Sequence, residues 1–132
     1  MAVEGRLEAR TMQAGADMRT LENRIMRATG ANTVNVASNA GGGVDDVIGV
    51  LINTPNSGQN ASVAFDGLAK VAAGAATTAN ALLTTNASGR AINAVSGDWT
   101  VGQGLEAAGA DGEVIACLLR IPAIQLPSSV NP

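Results

Sequence analysis

Short runs of apolar and β-branched residues recur along most of the chain, separated about every ten residues by clusters of glycine, asparagine and serine. Within several of these runs apolar and polar residues alternate, which is the side-chain period of a strand with one buried face. Strands of this length and spacing are typical of antiparallel barrels and sandwiches. The sequence therefore predicts an all-β fold, a small antiparallel β-barrel or sandwich.

The individual segments differ in how clearly they predict strands. The clearest is Glu113–Ile121, where Ile115, Cys117 and Leu119 alternate along one face. The other predicted strands are residues 34–36, 44–54, 61–72, 81–85, 90–93 and 99–105, of which 81–85 and 90–93 form a hairpin around a turn at 86–89.

One segment has a different spacing. In Ala16–Thr29 the apolar residues Met18, Leu21, Ile25 and Ala28 recur three or four positions apart. That is the period of an amphipathic helix, and a glycine follows the segment as a stop signal. Taken on its own, this segment predicts a helix.

The composition predicts a thin core. The 132 residues include 25 alanines but one Phe, one Trp and no Tyr, although 46% of the residues are hydrophobic. Aromatic side chains bury roughly 150–250 Å² each, and alanine contributes little area by comparison. The length suits a single domain. Such a domain gains stability by association, so we expect an oligomer or a subunit bound to a larger partner.

Charge is unevenly distributed along the sequence. The net charge is −3 and the pI about 4.7, which argues against a nucleic-acid partner. The first 30 residues nevertheless carry five arginines against four acidic residues, so this region is a candidate arm that reaches an acidic partner. Charged residues occupy every second position from 4 to 10, and no run of about 18 apolar residues occurs, so neither a signal peptide nor a membrane span is predicted.

Residues that commonly carry chemistry are scarce. The chain contains no histidine, which removes the usual general base and the commonest metal ligand. Its one cysteine, Cys117, stands among apolar residues of a predicted strand, which favours a buried, inert thiol and excludes an intrachain disulfide. We therefore predict no enzyme activity, no metal site and no cofactor.

Lys70 leaves one alternative open. The phrase Gly67–Ala72 is similar to the lysine-bearing hairpin turn of biotinyl and lipoyl carrier domains, which are also small, acidic and β-rich. Here, however, Lys70 lies inside an alternating run, where a solvated lysine on the polar face of a strand is the simpler interpretation. A lysine-linked cofactor carrier is therefore the less favoured alternative.

Five phrases resemble, in their order and spacing, the small cement or decoration proteins on the capsids of tailed bacteriophages. They are VIGVL with NTP at 47–55, VAFDGLAKV at 63–71, GAA at 74–76, NASGRA at 86–91, and GQGLEAA with DGEVI at 102–115. The resemblance covers roughly residues 17–121. We therefore divide the chain into an N-terminal arm (1–16), a β-barrel-like decoration domain (17–121) and a loose, proline-rich C-terminal tail (122–132).

The resemblance implies a structural virion protein without a reaction. Such a protein binds the outer surface of a bacteriophage capsid between hexamers of the major capsid protein, often as a homotrimer, and stabilises that lattice after assembly in the host cytoplasm. The resemblance also implies a strand at Asn23–Thr29. A period of two in that segment permits a strand, so we adopt it in place of the helix.

We predict that the capsid contacts include Arg6, Arg10 and Arg19, together with Trp99. The expected partners are the major capsid protein and other copies of this chain. A second structural alternative is a receptor- or glycan-binding β domain of a phage tail or fibre. Sugar sites favour exposed aromatic platforms, and Trp99 is the candidate for such a platform in this sequence.

Overall fold

The computed structural model describes residues 7–39, 47–95 and 98–125, with only the backbone described for Trp99 and for residues 120–125. The described residues form nine strands and no helix, so the all-β prediction is confirmed. The strands are β1 (Leu7–Ala14), β2 (Ile25–Gly30), β3 (Thr33–Val36), β4 (Val47–Leu51), β5 (Asn60–Ala72), β6 (Leu82–Thr85), β7 (Ala91–Asn93), β8 (Trp99–Gly104) and β9 (Val114–Gln125).

The first part of the sheet closes into a five-stranded barrel. β1 pairs with β3 in parallel and with the first half of β5 in antiparallel fashion, so the ring β1-β3-β2-β4-β5 returns to β1. Closure pairs strands that would otherwise be sheet edges. The barrel core consists of Met12, Ala14, Met18, Met26, Val34, Leu51, Ala61 and Val63.

β5 continues from the barrel into a second layer. Its second half, Asp66–Ala72, pairs with β9, and the order then runs through β8 and β6 to β7. An isolated parallel bridge between Ala73 and Ala91 brings β7 back to the end of β5. This outer layer packs on the barrel wall. The wall core between the two parts consists of Ile25, Ala37, Val47, Val50, Ala64, Ala69, Val71, Ala73, Leu83, Ala91, Val101, Ala108, Ile115, Cys117 and Leu119.

A β-bulge in β4 places Val47 and Val50, which are three residues apart, in the same wall core. The register with β2 shifts at Ile48. The next residue, Gly49, has a φ of 154°, and a Cβ atom there would overlap the carbonyl oxygen of Ala64 on β5. Only glycine fits this conformation and this close approach. After the bulge, Val50 points into the wall core and Leu51 into the barrel core.

The helix predicted from spacing at 16–29 is wrong, and the strand implied by the family resemblance is confirmed. Ile25 and Met26 are both fully buried in β2, but on opposite faces, one in each core. Met18 is also buried, although it belongs to the loop before β2, where its N–H donates to the carbonyl of Pro55 (2.9 Å). The helical spacing therefore arose from one buried loop residue followed by a strand buried on both faces.

Part of the predicted N-terminal arm is a barrel strand. Residues 7–14 form β1, which pairs with β5. Met12 and Ala14 are buried because β1 is the strand that closes the ring. The structure thus places residues 7–14 in the β domain, while residues 1–6 lie outside the described ranges.

The predicted C-terminal tail also starts later than expected. β9 continues through Pro122 to Gln125, which pairs with Trp99 of β8. Proline is tolerated because the register between β8 and β9 shifts across residues 120–123, so its missing N–H interrupts no regular ladder. Residues 126–132 lie outside the described ranges.

The predicted hairpin at 81–93 is confirmed as β6 and β7. The side-chain carbonyl oxygen of Asn86 accepts hydrogen bonds from the backbone N–H groups of Ser88 (2.9 Å) and Arg90 (3.0 Å). Gly89 supplies the positive φ, 78°, that the turn needs. Local turn chemistry therefore accounts for this hairpin.

Candidate functional site

Groups that could carry chemistry do not converge in the described part of the chain. No group of three or more His, Cys, Asp or Glu side chains there could hold a metal ion. Cys117 is buried on β9, and burial raises the pKa of its thiol to about 12, so little nucleophilic thiolate forms near neutral pH. Lys70 lies in the middle of β5 opposite Ala116, whereas a carrier lysine stands at a hairpin tip. The described residues also contain no helix long and apolar enough to cross a membrane.

The four predicted capsid contacts are described to different extents. Arg10 is exposed on β1, and Arg19 is exposed in the loop between β1 and β2. The Arg19 guanidinium forms an ion pair with Asp17 (2.8 Å), and its side-chain hydrogen bond lowers the pKa of Asp17 to about 2. Because this pair neutralises its charge locally, Arg19 is a weaker anchor for an acidic partner. Arg6 and the side chain of Trp99 lie outside what the structure describes, and all four contacts stay predictions.

Two pockets lie along the β1–β5 pair. One of about 310 Å³ is lined by Leu7, Glu8, Asp66 and Gly67. The other, of about 170 Å³, is lined by Arg10, Met12, Ile48 and Phe65. Small-molecule sites usually enclose about 300–1,000 Å³ and contain a few converging polar groups. Neither pocket favours a buried small ligand, because one is below this range and the other is at its lower end.

The clearest candidate surface is a row of residues on the exposed face of the outer layer. Leu82 lies opposite Gln103, Gln103 opposite Leu118, and Leu118 opposite Leu68, so all four point to the same face. Leu82 and Leu118 are 39% and 36% exposed. Gln103 donates from Nε2 to the carbonyl of Asn80 (3.0 Å), which ties its amide to the neighbouring loop. We call these four residues the leucine row.

The inner face of the same strands explains why the row is exposed. Leu83 and Leu119, which directly follow the two exposed leucines, are at most 2% exposed and belong to the wall core. Successive residues of a strand point to opposite faces, so each leucine pair places one side chain inside and one outside. Val114, 38% exposed, lies on the same face of β9 as Leu118 and extends the apolar surface. An exposed apolar face of this kind is a candidate surface for macromolecular contact.

Sequence reasoning missed the leucine row. The adjacent leucines at 82–83 and 118–119 only indicate strands that are apolar on both faces. Their alignment across four strands depends on pairings between segments far apart in the chain. Two Leu-Leu pairs in otherwise alternating strands are the one signal that could have indicated an apolar outer face.

No protein-family model and no curated protein matches the sequence. Solved structures do match the fold. One of them is the crystal structure of the head fiber gp8.5 N base in bacteriophage phi29, with a TM-score of 0.64 and 17% sequence identity, over 91% of this chain and 99% of that chain. The likeness therefore extends over both the barrel and the outer layer. In fold, this chain is an all-β domain similar to that head fiber base.

Proposed function

We propose that this chain is a structural, non-enzymatic protein of a bacteriophage virion that binds the outer capsid surface and stabilises the lattice of the major capsid protein. The proposal rests on the fold, which matches the N base of head fiber gp8.5 in bacteriophage phi29 over nearly the whole of both chains. The five phrases that resemble capsid decoration proteins support the same class of protein.

A protein of this kind acts through contact area. Each copy adds a small interface across a seam between capsid subunits, and the same contact is repeated many times over the shell. Weak contacts repeated in this way suffice through avidity. A closed barrel with a second packed layer suits the role, because backbone pairing in both parts holds the contact face in one shape.

We assign the capsid contact to the leucine row. Burial of its exposed apolar area would contribute roughly 25 cal/mol per Å² removed from water. The buried centres of protein interfaces are depleted in charge, and this row contains three leucines and one glutamine. Paired strands hold the row in place, so little conformational entropy is lost when it binds.

Co-sedimentation with capsids that lack this protein tests the proposal. We expect saturable binding of the wild-type chain and a higher temperature of capsid disruption when it is bound. Leu118→Lys places a charge in the middle of the row and should weaken binding about tenfold or more. Thr20→Lys adds the same charge at an exposed loop position between β1 and β2 and should bind like the wild type.

The possible outcomes distinguish whether the protein binds capsids at all from whether the leucine row is the surface that binds. Absence of wild-type binding would overturn the capsid assignment and leave the receptor- or glycan-binding alternative. Wild-type binding that Leu118→Lys does not weaken would keep the function and reject the leucine row as the contact. Thermal unfolding of both variants shows whether a loss of binding comes from misfolding.

A further inference from the structure

Over most of its length, one edge of β1 has no partner strand among the described residues, and we call this its open edge. β1 pairs with β5 from Leu7 to Gln13, but it meets β3 only at Gln13 and Ala14. Before Gln13, no strand of the described ranges covers the second edge. The side chains from Glu8 to Thr11 are exposed there. An open strand edge presents unpaired N–H and C=O groups, which is a template for another strand.

Hydrogen bonds at the end of β1 show which residues face this edge. The N–H of Gln13 donates to the carbonyl of Asn32 on the β3 side (2.8 Å), whereas the N–H of Ala14 donates to the carbonyl of Gln59 on the β5 side (2.9 Å). Alternate residues of an extended strand direct these groups to opposite sides. The odd-numbered residues of β1, Ala9 among them, therefore face the open edge.

The charged residues beside this edge are complementary between two copies of the chain. Glu8 and Arg10 are exposed, and neither forms an ion pair or side-chain hydrogen bond with another residue in the described ranges. In an antiparallel pairing about a twofold axis at Ala9, Glu8 lies opposite the second copy's Arg10, and the reverse contact is identical. These residues fall at non-hydrogen-bonded positions, where Cα atoms are about 4.5 Å apart and opposite charges attract.

Backbone direction and charge select the same register. An axis at Ala9 makes the two copies of Ala9 a hydrogen-bonded pair, which requires the outward-facing groups that Ala9 has. An axis at Thr11 would leave Arg10 opposite Met12, without a charge partner. Edge strands that are protected against pairing usually carry charges, especially lysine, that oppose a second strand. This edge carries one charge of each sign, which favours a second copy.

We propose that a second copy of this chain pairs with the open edge of β1, antiparallel about a twofold axis at Ala9. The two β1–β5 ribbons then form one continuous sheet, in an isologous contact. The result is a dimer in place of the trimer that the family resemblance implies. This contact forms between free chains in solution and does not require a capsid.

Sedimentation equilibrium of the purified chain tests this contact. We expect a monomer–dimer equilibrium over the micromolar range that weakens with added salt, because two ion pairs cross the axis. Glu8→Arg sets arginine against the second copy's Arg10 at both symmetry-related positions and should raise the dissociation constant about tenfold or more. Arg10→Glu should have the same effect, and the double swap Glu8→Arg with Arg10→Glu should restore the wild-type dissociation constant.

Glu22→Arg is the matched control, because it makes the same change in net charge at an exposed position outside β1 and should leave dimerisation unchanged. Circular dichroism confirms that each variant is folded. A chain that stays monomeric, or that forms trimers, overturns the proposal. So does a dimer that either single swap leaves intact, or a double swap that fails to restore dimerisation in a folded protein.

Discussion

The barrel and the outer layer are closed in different ways. The barrel closes through a long strand pairing, in which β1 follows β5 from Leu7 to Gln13. The outer layer closes through the isolated bridge between Ala73 and Ala91. Their cores differ as well, because the barrel core includes three methionines and the wall core contains none. The difference indicates that backbone pairing closes the barrel, whereas the outer layer, which is joined to the barrel by the β5–β9 pairing, depends on side-chain packing in the wall core to stay folded against it.

The largest expected effect comes from the wall core. Leu83→Ala should lower the free energy of unfolding by about 3 kcal/mol, because it leaves a cavity in the core that holds the outer layer. Leu82→Ala, at the neighbouring position that is 39% exposed, should cost less, about 1 kcal/mol. Urea unfolding of both variants measures the difference. An equal loss of unfolding free energy in the two variants would show that the outer layer does not depend on the wall core.

The next effect concerns the wall that the two parts share. Gly49→Ala should cost about 2 kcal/mol or more, because a Cβ atom there meets the backbone of β5 and φ is positive. Gly30→Ala is the control, since the nearest atom to its Cβ position is 3.9 Å away. It should be neutral or slightly stabilising by chemical denaturation. A similar change in both variants would mean that β4 relaxes away from β5.

A smaller effect should distinguish the two cores directly. Met26→Leu conserves side-chain volume within a barrel core that already contains flexible methionines, so it should cost less than about 1 kcal/mol. Leu83→Met makes the reverse exchange among smaller, stiffer residues of the wall core and should cost more, up to about 1.5 kcal/mol. The melting temperatures of Met26→Leu and Leu83→Met show which substitution costs more stability. The opposite order would show that the barrel core is the more tightly specified one.

The smallest effect at neutral pH concerns Cys117. Its thiol has a folded pKa of about 12 against a reference value of 9.0, so it is protonated in both states below about pH 9 and adds no pH dependence there. Above that pH the unfolded state loses the proton first, and stability falls by up to about 1.4 kcal/mol per pH unit. Subtracting the unfolding free energy of Cys117→Ala from that of the wild type at each pH in this range isolates the contribution of the Cys117 thiol. A pH-independent difference would show that the thiol is solvated.

Strand positions were largely predictable because they depend on local features. Alternating side chains located β5 and the start of β9, and Asn86 with Gly89 provided the turn of the β6–β7 hairpin. One error of element type came at Ile25 and Met26, because a strand buried on both faces has no period of two. A second came at residues 7–14, which were predicted as part of an arm and form β1. Burial on both faces is a property of packing, which the local pattern does not contain.

The candidate surfaces were less predictable. The charged residues of the N-terminal region suggested an arm, but Arg10 lies on a barrel strand and Arg19 pairs with Asp17. The leucine row and the open edge of β1 both follow from strand pairings. Each depends on which strand becomes a neighbour and in which register, and a shift of one residue would turn every side chain to the other face.

Sequence information was sufficient for the all-β character of the chain, its turns and the scarcity of reactive side chains. Each of these depends on residue types and on near neighbours along the chain. Tertiary structure decided the closure of β1 on β5, the bulge before Gly49 and the alignment of Leu82 with Leu118. These features join residues distant in sequence, and their register is selected by the packing of two cores against one wall rather than by local conformational preference.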